Sequence, residues 1–219
     1  MNTYEWILVG VFGVLLAIMV VQKALHLGPT QRGVVKTLLS SCFLGGAIWG
    51  YTQSSNPADI VLVIGLAFAM VGDVCLIFME DRKPFVAGVY AFACASITLC
   101  VYTVVRYGFS WWALLIFAIL TAGNIFAQHK KVFNFGQNVV HLNVYTICVT
   151  LCGSMGMALL FQGQGLASIL YGIGCILYFV SDCLLGLYLF ALRKRIVDCF
   201  NSLTYFPGMM LIAVSLLML

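Results

Sequence analysis

The chain has 219 residues, 63% of them hydrophobic and only 8% charged, with a formal charge of +4. Soluble domains carry roughly 25% charged residues, so this composition excludes a water-soluble globule and places most of the chain in lipid. The basic residues fall in short separated segments rather than on one face, which excludes a nucleic-acid-binding surface as the source of the positive charge.

A bilayer core of about 30 Å requires roughly 20 apolar residues per helix. In chain order, that measure predicts eight spans, over about 5–22, 33–51, 58–79, 84–104, 109–127, 138–161, 166–191 and 200–218. The first follows Met1 with no small-residue cleavage site and soluble domain after it, and reads as a helix that is retained. The second contains Gly46-x-x-x-Gly50, a spacing suited to close helix packing. Pro57 and Pro84 stand just before the third and fourth, where a missing N–H costs nothing. Pro207 lies within the last, where it predicts a kink. The expected fold is all-α, a polytopic membrane helix bundle, in a single integral membrane domain over residues 1–219.

The connections alternate in charge. Lys23, Arg32 and Lys36 surround the first, Arg82 and Lys83 the third, Lys130 and Lys131 the fifth, and Arg193, Lys194 and Arg195 the seventh. The opposite side holds only Arg106. This bias predicts that the odd-numbered connections face the cytoplasm and that both termini face away from it. The nine cysteines lie within or at the edge of apolar runs, without a CxxC pair or a Cys/His set of zinc spacing. They read as reduced, polarizable packing groups, and neither a metal nor a cofactor is expected.

Two carboxylates interrupt the apolar pattern. Asp73 lies in "MVGDVCLIFMEDRK" and Asp182 in "FVSDCLLGLYLFALRK", 109 residues apart (182 − 73) and in matched contexts. The same offset lays the first span on the fifth and the second near the sixth, as a parallel duplication of a four-helix unit would. A charge at the centre of a membrane helix costs about 2.5–3.5 kcal/mol or more, so each Asp requires a cavity or a partner. The predicted topology brings Lys36, Asn124, His141, Asn143, Tyr145, Asn201 and Tyr205 to the cytoplasmic layer of both Asp, and leaves the outer halves with little but Ser, Thr and aromatics. One reading is a structural Lys36–Asp pair with the second Asp protonated. The other is a hydrophilic site in which burial and mutual repulsion drive two carboxyls to different protonation states, dividing acid from base. "GQG" and "GIG" lack a preceding strand and are not nucleotide loops, and Ser181 has no His/Asp partner at sensible spacing.

The motifs "GDVCL" (72–76) and "YFVSDCLLGLYLF" (178–190) resemble the two Asp signatures of the lysoplasmalogenase-like (YhhN) membrane proteins. Lys36, "FVAGVYAF" (85–92), "VYTICVTLCGSM" (144–155) and "TYFPGMMLIAVS" (204–215) extend the likeness from the second span to the C-terminal end. Departures stand at Ser96 and Leu99, where the family pattern has His and Tyr, and at Met209, where it has Gln. The resemblance implies hydrolysis of the vinyl-ether bond of a lysophospholipid to a fatty aldehyde, with Asp73 and Asp182 catalytic. Lys36, Tyr145, His141, Asn143, Asn201 and Tyr205 would surround the substrate. Two other classes compete. A proton-coupled transporter would line both halves of its helices with polar groups. A non-catalytic lipid-binding relative would fit the departures.

Overall fold

The computed structural model describes residues 3–25, 29–130 and 139–218. Among them the chain forms eight α-helices and no strand: α1 (Thr3–Ala24), α2 (Pro29–Gln53), α3 (Ile60–Cys75), α4 (Arg82–Tyr107), α5 (Trp111–His129), α6 (Val139–Gln162), α7 (Leu166–Leu187) and α8 (Arg195–Ser215). A 3₁₀ turn at Pro57–Asp59 leads into α3, and another, Leu76–Phe78, extends it. A π turn, Tyr188–Leu192, extends α7. All eight are long and apolar enough to cross a bilayer, and the chain is a multi-pass membrane protein.

Helix ends depart from the apolar runs in an instructive way. Backbone hydrogen bonding continues past the last apolar residue, so α2 begins at Pro29 and α8 at Arg195, several residues before the predicted spans. Lys36 therefore lies about two turns inside α2 rather than in its first turn. Pro57 opens its 3₁₀ turn behind Asn56, whose side chain accepts from the Ala58 N–H at 3.0 Å. Pro84 sits in the first turn of α4, where its absent N–H breaks no helical bond. Lys131, counted among the basic residues of the fifth connection, lies outside the described residues.

Six helices close a ring in the order α2, α3, α4, α6, α7, α8 and back to α2. α1 packs outside on α2 and α8, and α5 outside on α6. Exchanging the first four helices for the last four preserves the ring, while the α1–α8 contact has no comparable α5–α4 counterpart. The α2–α3 and α3–α4 contacts map onto α6–α7 and α7–α8, and α8–α2 maps onto α4–α6. The two Asp occupy equivalent helices, α3 and α7. α5 has a single buried residue, Ala113, and much of its apolar surface, Trp112, Leu115, Ile119 and Phe126 included, is exposed and suited to lipid.

Small residues set the closest approaches. A Cβ on Gly50 would lie 2.7 Å from the Leu216 Cβ, just past the end of α8. One on Gly46 would lie 3.2 Å from Leu8 Cδ2 of α1 and 3.9 Å from the Ala213 Cβ of α8, so the Gly46-x-x-x-Gly50 face packs where α1 and the end of α8 meet α2. The α7–α8 contact is tighter still: a Cβ on Gly174 would stand 2.6 Å from Ile212 Cγ1 and 2.7 Å from the Gly208 carbonyl oxygen. Backbone at that distance cannot swing aside. Gly174→Ala is expected to destabilise the protein by about 1–3 kcal/mol, as overpacking does. Gly123→Ala on α5, with nothing within 4 Å of the added carbon, should leave the melting temperature of purified protein unchanged in the same assay.

One expectation fails at the end of the bundle opposite Asp73. The outer halves were expected to hold little but Ser, Thr and aromatics, yet Asp59 is fully buried there. Ser54 donates a short hydrogen bond to its Oδ2, and Arg106 Nε stands 3.7 Å from its Oδ1. Tyr102, Tyr107 and Tyr171 stack beside this pair, with ring centroids 5.2 to 6.0 Å apart. Asp59 lies at the very start of the predicted third span, 58–79, directly before Ile60, and has no role among the sequence-based expectations. The ion pair with Arg106 draws it inside.

Candidate active site

Asp73 ends the last full turn of α3 and is 1% exposed. Three groups converge on its carboxylate. Lys36 Nζ approaches Oδ1 at 3.2 Å, Ser40 Oγ donates to Oδ2 at 2.5 Å, and the Tyr205 hydroxyl donates to Oδ2 at 2.8 Å. Lys36 and Ser40 stand one turn apart on α2, so both side chains point from the same face. α8 supplies Tyr205 from across the ring.

Asp182 is differently provided. Its neighbours are phenols: the Tyr145 hydroxyl lies against both Asp182 and Tyr178, and the Tyr178 hydroxyl meets Ser96 Oγ at 3.1 Å. The Asp182 Oδ2 atom is buried with no hydrogen-bond partner among the described residues. The 109-residue offset relates the two surroundings. Tyr145 follows Lys36 by the same 109 residues that separate the two Asp, and Tyr205 follows Ser96 by that interval too. Asp73 has an ammonium and a phenol for partners, while the equivalent places around Asp182 hold a phenol, Tyr145, and a serine, Ser96, which reaches it through Tyr178.

The two carboxylates open onto a two-lobed cavity. A polar lobe of about 720 Å³ lies among α1, α2, α3 and α8, lined by Lys23, Arg32, Lys36, Asp73, Asn201 and Tyr205 among others. An apolar lobe of about 230 Å³ lies among α4, α5, α6 and α7, lined by residues such as Val89, Leu120, Tyr145, Val149 and Phe179. Asp182, Phe92, Leu76, Met79 and Leu185 border both. Phe92 stands edge-on to Tyr205 at 5.9 Å and tilted to Tyr145 at 6.5 Å, forming the partition between the lobes. Asp182 therefore sits where a polar chamber meets an oily one.

The structure gathers most of the sequence-predicted residues and leaves two aside. Lys36, Asp73, Asp182, Tyr145 and Tyr205 line the cavity, as does Asn124 at the α5 wall. Asn201 lines the polar lobe and donates to the Ser181 carbonyl at 2.8 Å, bracing the backbone beside Asp182. His141 and Asn143, expected at the substrate, are not among the residues lining either lobe. His141 Nδ1 pairs with the Tyr90 hydroxyl at 2.7 Å on an exposed face, and Asn143 accepts from Gln128 at 2.9 Å toward α5. Position 143, two residues before Tyr145, faces the opposite way along the helix, whereas His141 lies one turn before Tyr145 and its ring is taken up by Tyr90 of α4 outside the lobe. Ser40 and Tyr178 went unnoticed in the sequence. Each has a legible signal, four residues from a site residue on the same helix: Ser40 after Lys36, Tyr178 before Asp182.

A family model described as the YhhN family matches residues 31–216. The chain belongs to the YhhN family. Characterised members of that family are lysoplasmalogenases. No curated protein and no solved structure matches the chain. Two departures from the YhhN pattern now have positions. Ser96 is fully buried and bonded to Tyr178 and to the Phe92 carbonyl at 2.9 Å, so a hydroxyl pair occupies the place of the expected His. Met209 is fully buried in the core one turn beyond Tyr205, beside rather than within the cavity.

Proposed function

We propose that this YhhN protein hydrolyses the vinyl-ether bond of a lysophospholipid, with Asp182 as general acid and Asp73 as the base that activates water. The observation that carries the reading is the placement of Asp182, with an unpartnered carboxyl oxygen, at the boundary between a cation-bearing lobe and an apolar one. A single-chain lipid with its head group in the first lobe and its alkenyl chain in the second would present its ether linkage to that oxygen.

The chemistry suits the arrangement. Hydrolysis starts when a proton passes from Asp182 to the second carbon of the alkenyl chain, leaving an oxocarbenium centre at the first. Asp73 takes a proton from water as the water oxygen bonds to that centre, giving a hemiacetal. The hemiacetal hydroxyl returns a proton to Asp182 while Asp73 delivers its proton to the glycerol oxygen. The C–O bond then breaks, yielding aldehyde and glycerophospho-head group with both carboxyls restored. Inverting glycosidases divide two carboxyls in the same way around an oxocarbenium-like transition state. Since the odd-numbered connections carry the basic residues, the cavity opens toward the cytoplasm in this reading.

A transport path would require polar groups through the middle of the bundle. Leu66, midway along α3 between Asp59 and Asp73, is fully buried, as are Phe43 on α2 and Met209 on α8. That layer favours a chamber closed at its inner end. The deciding experiment incubates purified protein with an alkenyl lysophospholipid in D₂O. Fatty aldehyde bearing one deuterium at its second carbon is the expected product, because the transferred proton is exchangeable. Failure to release aldehyde from folded protein would rule the reading out.

A further inference from the structure

We infer that Arg32 holds the phosphate of the lipid head group, an assignment that rests on the hydrolase reading of the same cavity. Three cations line the polar lobe, and two are engaged within the protein. Lys23 pairs with Asp198, bonding both its carboxylate and its backbone carbonyl. Lys36 pairs with Asp73. Arg32 is the third: its Nε atom is buried and has no hydrogen-bond partner among the described residues. A buried N–H without an acceptor is costly, and an oxygen of a lipid phosphate seated in the lobe would satisfy it.

Position supports the chemistry. Arg32 precedes Lys36 by one turn on α2, so it lies about 6 Å nearer the end of that helix and hence nearer the mouth of the lobe. A chain whose ether bond reaches Asp182 would leave its phosphate at this outer level. The planar guanidinium offers paired N–H donors that match two phosphate oxygens. The acids of the lobe are otherwise placed: Asp73 and Asp198 have their lysines, Asp182 lies against Tyr145 at the border of the other lobe, and Glu80 and Asp81 are exposed to solvent at the rim. The duplication makes the assignment one-sided. The residue equivalent to Arg32 in the second half is His141, 109 residues on, which faces Tyr90 outside the apolar lobe. Only the first lobe has a cation to spare, so the two lobes cannot exchange head group and chain.

The test measures binding to the purified full-length chain of two saturated ether lipids with the same alkyl chain. One is an alkyl lysophosphatidylethanolamine, the other the corresponding alkyl glycerol without phosphate. Neither has a vinyl-ether bond, so the result stands whether or not hydrolysis occurs. Arg32→Gln is expected to weaken the phospholipid roughly tenfold or more and to leave the alkyl glycerol unchanged. Arg32→Lys, which keeps charge and loses the fork, should fall between parent and Arg32→Gln while holding the parent's melting temperature. Equal weakening of both lipids, or none of either, overturns the assignment. Inorganic phosphate at the same concentration is expected not to displace the lipid; displacement would assign Arg32 to free phosphate instead.

Discussion

Asp182→Asn should lower aldehyde release by about 10²–10⁴-fold, the range that a general acid commonly contributes. An amide is nearly the same size as a carboxyl and can occupy the junction of the two lobes without repacking Phe92, Leu76 or Leu185. What it lacks is a proton acidic enough to transfer to carbon. Lipid binding should therefore persist while kcat collapses, a split that damage to the cavity would not produce. Tyr145→Phe makes a finer comparison. It removes the phenol beside Asp182 and keeps the ring against Phe92, so the effect should be smaller and fall on kcat rather than on affinity. If Asp182→Asn retained parental turnover, the acid would have to be sought elsewhere in the chamber, and Asp73 with it.

Eight helices were legible because a membrane-spanning helix must satisfy every backbone group internally and must run about 20 apolar residues, two demands that composition displays openly. The paired Asp were legible for the complementary reason that an acid in hydrocarbon has to be accounted for. Partners were harder to read. Lys36 was tied to the site by its side of the membrane, but Ser40 and Tyr178 are common residues in an apolar helix, and only their four-residue spacing from site residues marks them. Asn143 shares a depth with Tyr145 but not its face, and His141, one turn from Tyr145, is diverted to the Tyr90 hydroxyl, a contact that depth and spacing do not display. Asp59 escaped because it stands at the very start of the predicted third span, and its pairing with Arg106 is not displayed there. The 109-residue offset was visible in the two Asp; that it also pairs Lys36 with Tyr145 emerged only when both were seen against their own carboxylates.

Lys36→Met should destabilise the protein as well as silence it. Asp73 is 1% exposed, and among the described residues Lys36 is the cation paired with it within 4 Å. Removing one member of a buried pair typically costs about 3–5 kcal/mol, because the other charge is left uncompensated. For a chain of this length that corresponds to a fall of roughly 6–20 °C in melting temperature. Ser40 and Tyr205 would still donate to Oδ2, which sets a limit on the loss. Adding Asp73→Leu to Lys36→Met replaces the pair with apolar groups, and much of the stability should return, short of the parental value by the acceptor that the buried Tyr205 hydroxyl loses. Aldehyde release should not return with it, because no carboxylate remains to take a proton from water. Recovery of stability without recovery of turnover would separate two roles for the pair, holding α2 to α3 and activating water. Recovery of both in the double variant would reduce Asp73 and Lys36 to a structural tie and leave catalysis to Asp182 and its phenols.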